Sequence, residues 1–575
     1  MKNLSRRKFI KFFSGGAIGL SQIGTIELLF SAFLSNKYNI AMADEINLAD
    51  YIHYLHFSFR GGPPRWQWDL PLTPLGKFEG FNPNPYCVTK FIQNENQELE
   101  YLYETHAYSG YHVPYLWKTK IPTTGGGKIE MDSLLQNMLM FRGLNNTSDG
   151  HSINRTKMNQ PIPGGLSLTG VAADASSFPI PAVHFGPDYG FMSKKGTNSV
   201  AVSGNLFLSL LDGLNLKYRG SEISGLGFGK ESKKDVSNRL DKVLDLFNVN
   251  HRQVASVSHK DLKNAKSLFL REFGDLDAMY KQFVDKYNNL IYRSFAEHDL
   301  VGFDSTPVIA SDSKLCQHSH NRGTRLHPGV DMRDLFVSTE GQTLGQASLN
   351  VPPSQKATNI TNLSKSMALA EFCLANNLAT SLMLPVDGVN NLYLPKKTDT
   401  ENPNWIARVS AGNDSHWTGS HLSNLLYGKY FKAVSACTHE LKTVLINLKN
   451  KNNGKSKWDH TLLHFSAEFP RAPDKNGHQN GHAWDGNCIS LMSGKIKKLD
   501  IIGSCLEHSS KGHYGVGAKL KSLSGRKMHI GNIASSVATI LGVASPTPND
   551  ASLVGLDKDG NVINFGGKPD DSSKS

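Results

Sequence analysis

The stretch WDHTLLHFSAEFPRAPDKNGHQNGHAWDGN, Trp458 to Asn487, decides how the rest of this chain is read. Thr461 to Ala467 is an apolar run with the length and composition of a strand. The chain turns polar at Glu468, and a Gly/Asn/His-rich loop follows with His478, His482 and Asp485. Open α/β sheets place their ligand sites outside the carboxyl ends of strands, so an acid there followed by histidines marks a candidate site. A solvated turn is the competing reading, because Asn and Gly favour turn conformations.

Working outward, similar strand-and-turn units recur. Residues 51–59, YIHYLHFSF, predict a strand that stops at Arg60-Gly61-Gly62-Pro63-Pro64. Residues 138–142, MLMFR, predict another, opening into Gly143 to His151 with Ser148 and Asp149 in the loop. Further strands are expected at Ala379 to Pro385 and Ile489 to Ser493, and helices at Ser364 to Asn377, Leu422 to Leu448 and Ile530 to Leu541. Strands separated by helices, and apolar enough to be covered on both sides, predict an α/β fold: a mostly parallel sheet with helices on both faces.

Two segments interrupt this alternation. Apolar residues spaced by three and four, such as Phe269, Phe273, Leu276, Tyr280, Phe283 and Tyr287, predict a helical insertion at about 205–300. Residues 302–362 are loop-rich, and their His318, His320, Arg322, Arg325 and His327 read first as a solvated loop and second as substrate contacts. We place one α/β domain over residues 44–565, with a disordered tail at 566–575.

Residues 1–43 have the pattern of a twin-arginine export signal. Ser5-Arg6-Arg7-Lys8-Phe9-Ile10-Lys11 precedes a largely apolar run, Phe12 to Leu34, and Ala41-Met42-Ala43 offers a small-residue cleavage site. An uncleaved anchor is the alternative, since the run is long enough to span a bilayer. The expectation is a periplasmic or extracellular protein whose mature form does not span the membrane and whose first partner is the twin-arginine translocase. That route carries proteins already folded, often with a metal or cofactor in place.

The segment also carries +5 of the formal net charge of +12, leaving +7 for the mature chain. Its lysines are scattered and no basic stripe is interleaved with aromatics, so nucleic acid is not an expected partner. A modest attraction to anionic small molecules or envelope polymers remains. The six cysteines, Cys87, Cys316, Cys373, Cys437, Cys488 and Cys505, form no CxxC motif. Export permits disulfides, with Cys488 and Cys505 one possible pair, while Cys373 and Cys437 sit in apolar helical contexts that favour burial. There is no CxxCH, no flavin glycine fingerprint and no GxSxG elbow.

Four segments in order resemble one family: FRGGPPRWQWD at 59–69, RGLNNTSDGHSINRTKMNQPIPGGLSLTGVAADA at 142–175, AGNDSHW at 411–417 and TLLHFSAEFPRAPDKNGHQNGHAWD at 461–485. With the twin-arginine signal, the chain resembles the exported domain-of-unknown-function family numbered fifteen-oh-one, a branch of the alkaline phosphatase/sulfatase superfamily. The resemblance covers most of residues 51–560.

It implies an alkaline-phosphatase-like fold and a metal-dependent hydrolase of phosphate or sulfate esters. Active members of the superfamily hold two metals on Asp and His at strand ends, beside a Ser or Thr nucleophile. Two cations about 4 Å apart clamp the transferred group and activate the nucleophile. Carried over residue by residue, the resemblance implies Asp414, His416, Glu468 and His482 as metal ligands for zinc, or for calcium or manganese. Ser148, Arg471 and His151 become the catalytic candidates, with Thr147 and Ser152 as other nucleophile positions.

The sequence departs from the pattern in two places. Phe59-Arg60-Gly61 stands where a metal-binding Asp closes the first strand, and Glu468-Phe469 replaces an Asp-His pair. One metal site is therefore expected to be degraded. Arg60 or Arg471 would then replace a cation's charge and bind an anionic group; an ordinary Arg471–Glu468 ion pair is the alternative. A non-catalytic protein binding an envelope component or partner through the same fold is the alternative function.

Overall fold

The computed structural model describes residues 52–70, 90–93, 95, 99–102, 104–148, 150–176, 182–185, 190–195, 199–202, 276–296, 359–360, 362–375, 378–395, 406–411, 420–449, 455–473, 480–482, 485–508 and 513–567. The export-signal residues 1–43, the site candidates Asp414 and His416, the tail from 568, and most of the 205–300 and 302–362 segments lie outside them. The chain divides into two compact units. Met1–Leu48, Lys195–Asn198 and Val202–Met279 form the first, nearly all of it outside the described residues; Ala49–Lys194, Ser199–Ala201 and Tyr280–Ser575 form the second, treated below.

The second unit is built on a mixed sheet. Its strands are β1 (His53–Phe59), β2 (Met138–Leu144), β3 (Ala182–Phe185), β4 (Ser381–Val386), β5 (Thr461–Ala467), β6 (Asn487–Ser493) and β7 (Asp500–Ile502). They lie in the order β3-β4-β1-β5-β6-β2-β7, with Ser199–Val202 as the eighth strand beside β3. The β3/β4, β4/β1, β1/β5 and β2/β7 pairs are parallel; β5/β6 and β6/β2 are antiparallel. Among these seven, β6 alone runs against the others, so the carboxyl ends of β1, β2 and β5 share one edge with the start of β6.

Helices cover both faces. The helices used here are α1 (His151–Asn159), α2 (Leu168–Asp174), α3 (Leu276–Ala296), α4 (Leu363–Ala375), α5 (Ser420–Asn447) and α6 (Ile530–Leu541). All seven residues of β1 and of β5 are buried, as expected for strands packed on two sides. On one face Tyr54, Leu462, Leu491 and Phe141 share a core with Met158 of α1, Leu168 and Ala172 of α2, and Ile533 and Val537 of α6. On the other, Phe59 meets Tyr430 and Phe431 of α5 edge-on, and Trp68 stacks on Phe431 at 5.5 Å. Helix α6 starts where His529 accepts the Gly531 N–H and stops at Gly542, whose φ of 67° is the left-handed cap glycine supplies cheaply.

The turn after β1 is fixed by a buried ion pair. Arg65 Nε donates to Asp69 Oδ1 at 2.8 Å, its Nη2 closes the fork on Oδ2, and Ser490 of β6 donates to the same carboxylate at 2.7 Å. Both charges are fully desolvated, which holds only because the geometry is bidentate.

A polar row crosses the α2/α6 face. The register His184–Met383–His56–His464 aligns three buried histidines on β3, β1 and β5. His56 and His464 stack at 4.3 Å and 3°; Tyr54 Oη lies 2.7 Å from His464 Nδ1, and His56 Nε2 lies 2.7 Å from Ser466 Oγ. Burial, reinforced by His184, pushes His56 down to about 3, and burial pushes His464 well below the ordinary imidazole range. Both rings are neutral in the fold.

Among the described residues, no helix is long and apolar enough to cross a membrane.

Candidate functional site at the carboxyl edge of the sheet

Three strand ends and one helix start build the site. Glu468, the residue after β5, is 1% exposed. Its backbone carbonyl accepts from Asn146 Nδ2 at 2.8 Å, and Asn487 Nδ2 donates to the neighbouring Ala467 carbonyl at 3.0 Å. The end of β5 is thus pinned by side chains from the β2 loop and from the start of β6.

The Glu468 carboxylate faces the first turns of α1. His151 Nδ1 lies 2.5 Å from Oε2, and Arg155 Nε lies 2.8 Å from Oε1. His151 and Arg155 are one helical turn apart and share a face of α1, so one carboxylate reaches both. They retain 34% and 23% side-chain exposure, while the Glu468 side chain has none. The carboxylate is sealed underneath, while the imidazole and the guanidinium are partly exposed.

An aromatic pivot sits beside this cluster. Phe469 is fully buried, with its ring 4.1 Å from His482 and 4.8 Å from His151. The two imidazoles are 4.9 Å apart, edge to face. Gly62 makes room for Phe469: its φ is +65°, and a Cβ there would stand 2.6 Å from the ring. Arg471 lies over the Phe469 ring, 5.0 Å from its centre, and donates to the Gly62 and Gly61 carbonyls at 3.1 and 2.7 Å. Arg471 pairs with His482 across a short antiparallel ladder, which places that histidine.

The loop before α1 is a tight turn. Thr147 sits at φ 60°, unusual for a β-branched residue, and its Oγ1 accepts from Lys157 Nζ at 3.0 Å. Ser148 Oγ accepts the Gly150 N–H at 3.2 Å, and its carbonyl accepts from Asn154 at 2.8 Å.

Of the residues the sequence singles out, the structure gathers His151, Glu468 and His482 into one cluster and sets Ser148 on the loop leading into it. It turns two of Arg471's donors onto the Gly61–Gly62 turn, and the cations seen on Glu468 are His151 and Arg155. Arg60 is paired with Asp387 of the β4 end at 3.3 Å. Asp485 is held by the Gly517 N–H and by Lys527 Nζ at 2.5 Å, away from the Glu468 carboxylate. Sequence reasoning missed Arg155, Asn146 and Asn487. The i, i+4 spacing of Arg155 from His151 was the available signal.

The donor set for a metal ion is incomplete here. No group of three His, Cys, Asp or Glu side chains among the described residues converges so as to hold one. Glu468 Oε2 meets His151, and Oε1 lies within ion-pairing distance of Arg155 but accepts no hydrogen bond among the described residues. As it stands, the cluster can bind an anion through Arg155 and Lys157, and can orient the His151 ring through Glu468. Comparison with known proteins finds no matching family model, no matching curated protein and no matching solved structure.

Proposed function

We propose that this is an exported protein on an alkaline-phosphatase/sulfatase-like sheet whose carboxyl-edge site receives a phosphate or sulfate ester and hydrolyses it. The observation that carries the reading is Glu468, buried at a strand end against His151 and Arg155, both of which stay partly exposed. Arg155 and Lys157 neutralise the anionic group. Glu468 fixes the His151 ring through Nδ1, and the imidazole moves a proton at the ester or at the attacking hydroxyl. Ser148 and Thr147 are the hydroxyls on the adjoining loop. The described donors do not complete a metal site, and Asp414 and His416 are the residues that would bring one.

A non-catalytic anion-binding protein is the second reading. Phe469 favours it, since it places an apolar ring where hydrolases of this type need an imidazole. Metal analysis of the mature protein, then aryl phosphate and aryl sulfate turnover with and without added zinc, manganese or calcium, separates the two. Turnover lost in His151→Ala supports hydrolysis. Saturable binding of inorganic phosphate or sulfate without turnover supports the second reading. Neither turnover nor binding would sink both.

A further inference from the structure

We propose that Cys488 and Cys505 form a disulfide once the folded protein meets a dithiol-oxidising environment. The two thiols converge on one backbone acceptor: Cys505 Sγ donates to the Gly486 carbonyl at 3.2 Å, and Cys488 Sγ approaches the same oxygen at 3.9 Å. Both thiols therefore border the same carbonyl oxygen. No comparable partner is seen for the other described cysteines, Cys373 on α4 and Cys437 on α5, both buried.

Their carriers are held independently of any sulfur bond. Cys488 lies on β6 opposite Arg142 of β2, and Cys505 begins a hairpin strand opposite Gly517. Asp485 ties the two segments together by accepting from the N–H groups of both Gly486 and Gly517. The two cysteines therefore border one carbonyl in a frame that already exists without a sulfur bond.

Access sets the order of events. Cys505 is partly exposed and Cys488 is fully buried. The Cys505 thiolate attacks one sulfur of an oxidant disulfide, such as oxidised glutathione or a protein disulfide, and one oxidant thiol leaves. Cys488 then loses its proton and attacks the Cys505 sulfur of the mixed disulfide, expelling the second oxidant thiol. Two protein thiols are oxidised to one disulfide and one oxidant disulfide is reduced to two thiols. Burial and the Cys505 side chain raise the Cys488 thiol well above its usual range, so the second step accelerates with pH.

The bond has a place in the fold. Cys488 follows Asn487, whose amide holds the Ala467 carbonyl beside Glu468. A cross-link there ties the floor of the candidate site to the 505–517 hairpin.

The test uses the full mature chain equilibrated with oxidised glutathione at mildly alkaline pH. Remaining thiols are trapped with N-ethylmaleimide in denaturant, and the protein is digested without reductant for mass spectrometry. The expected result is a Cys488 peptide linked to a Cys505 peptide, with Cys373 and Cys437 alkylated. In Cys488→Ser, Cys505 should stop at the glutathione mixed disulfide; in Cys505→Ser, Cys488 should stay a thiol. Alkylation of both cysteines in the oxidised wild type, or linkage of either to Cys87 or Cys316, overturns the proposal.

Discussion

Removing Arg155 tests whether the Glu468 cluster is an energetic unit or a coincidence of neighbours. The Glu468 side chain is desolvated, so its charge depends on Arg155 at 2.8 Å and His151 at 2.5 Å. Breaking a fully buried ion pair costs roughly 3–5 kcal/mol, and a hydrogen bond to a charged group contributes about 1.5–3. Arg155 is 23% exposed and His151 remains in Arg155→Gln, so solvent screening lowers the expectation to about 1–2 kcal/mol. Glu468→Gln leaves two cations that can turn to water and should cost about 2 kcal/mol. Because each change removes the same contact, the double variant should fall short of the sum by about 1 kcal/mol. Urea unfolding followed by tryptophan fluorescence gives all four values, with an unchanged m-value confirming that native compactness is retained. Additivity within about 0.5 kcal/mol would show that Arg155 and Glu468 are not coupled, and the reading of the site as a sealed carboxylate under outward cations would fail.

Other outcomes follow from the same geometry. His53 and His56 are pushed down to about 3 and His464 lies well below its usual range, so all three stay neutral in the fold and charge on unfolding. The unfolded chain then binds more protons between about 6.5 and about 3, so stability is full above that window and is lost as pH falls, by up to about 1.4 kcal/mol per pH unit for each ring. A flat stability profile from pH 7 to 4.5 in urea melts would contradict the burial of these three neutral histidines. Gly62→Ala should destabilise by about 2–4 kcal/mol, from a left-handed φ and a Cβ driven into Phe469, and Phe469→Leu should recover part of that loss. Equal cost in both backgrounds would separate Gly62 from the ring. Reducing the Cys488–Cys505 bond should lower unfolding free energy by about 3 kcal/mol for a loop of this length, against no change in Cys505→Ser under the same reductant.

The strands of the sheet were legible where burial on both faces leaves a continuous apolar run. Thr461–Ala467 and Ile530–Leu541 fall at the expected bounds, and β1, β2, β4, α4 and α5 within one to three residues. Sequence patterning could not show the direction of β6, because an antiparallel strand buried between neighbours has the same apolar pattern as a parallel one. For the site, an acid at a strand end and a nearby His were visible as residue types. Arg155 was not, since a charged residue on a short helix reads as solvated until its facing carboxylate is known. Phe469 was visible only as an apolar residue after the acid, and the structure places its ring beside Arg471, His482 and the Gly62 turn.

The polar row and the site belong to one alternation. Along β5, Leu462, His464, Ser466 and Glu468 occupy every second position, and alternate residues of a strand share a face. Leu462 packs in the core with α2 and α6; His464 and Ser466 are bridged to Tyr54 and His56 on β1; Glu468 meets α1. The face therefore changes from apolar to neutral polar to charged within four positions. The imidazoles of His464 and His56 can be buried neutral in the middle because each finds a hydroxyl, whereas a carboxylate would need a cation there. The charge is tolerated only at the strand end, where α1 brings Arg155 and His151. That gradient explains why the candidate site lies at Glu468 and not at the more numerous histidines behind it. It also predicts that moving the acid one register inward, as Ser466→Glu with Glu468→Ser, should prevent folding, whereas Ser466→Ala should cost only the His56 hydrogen bond, about 1 kcal/mol.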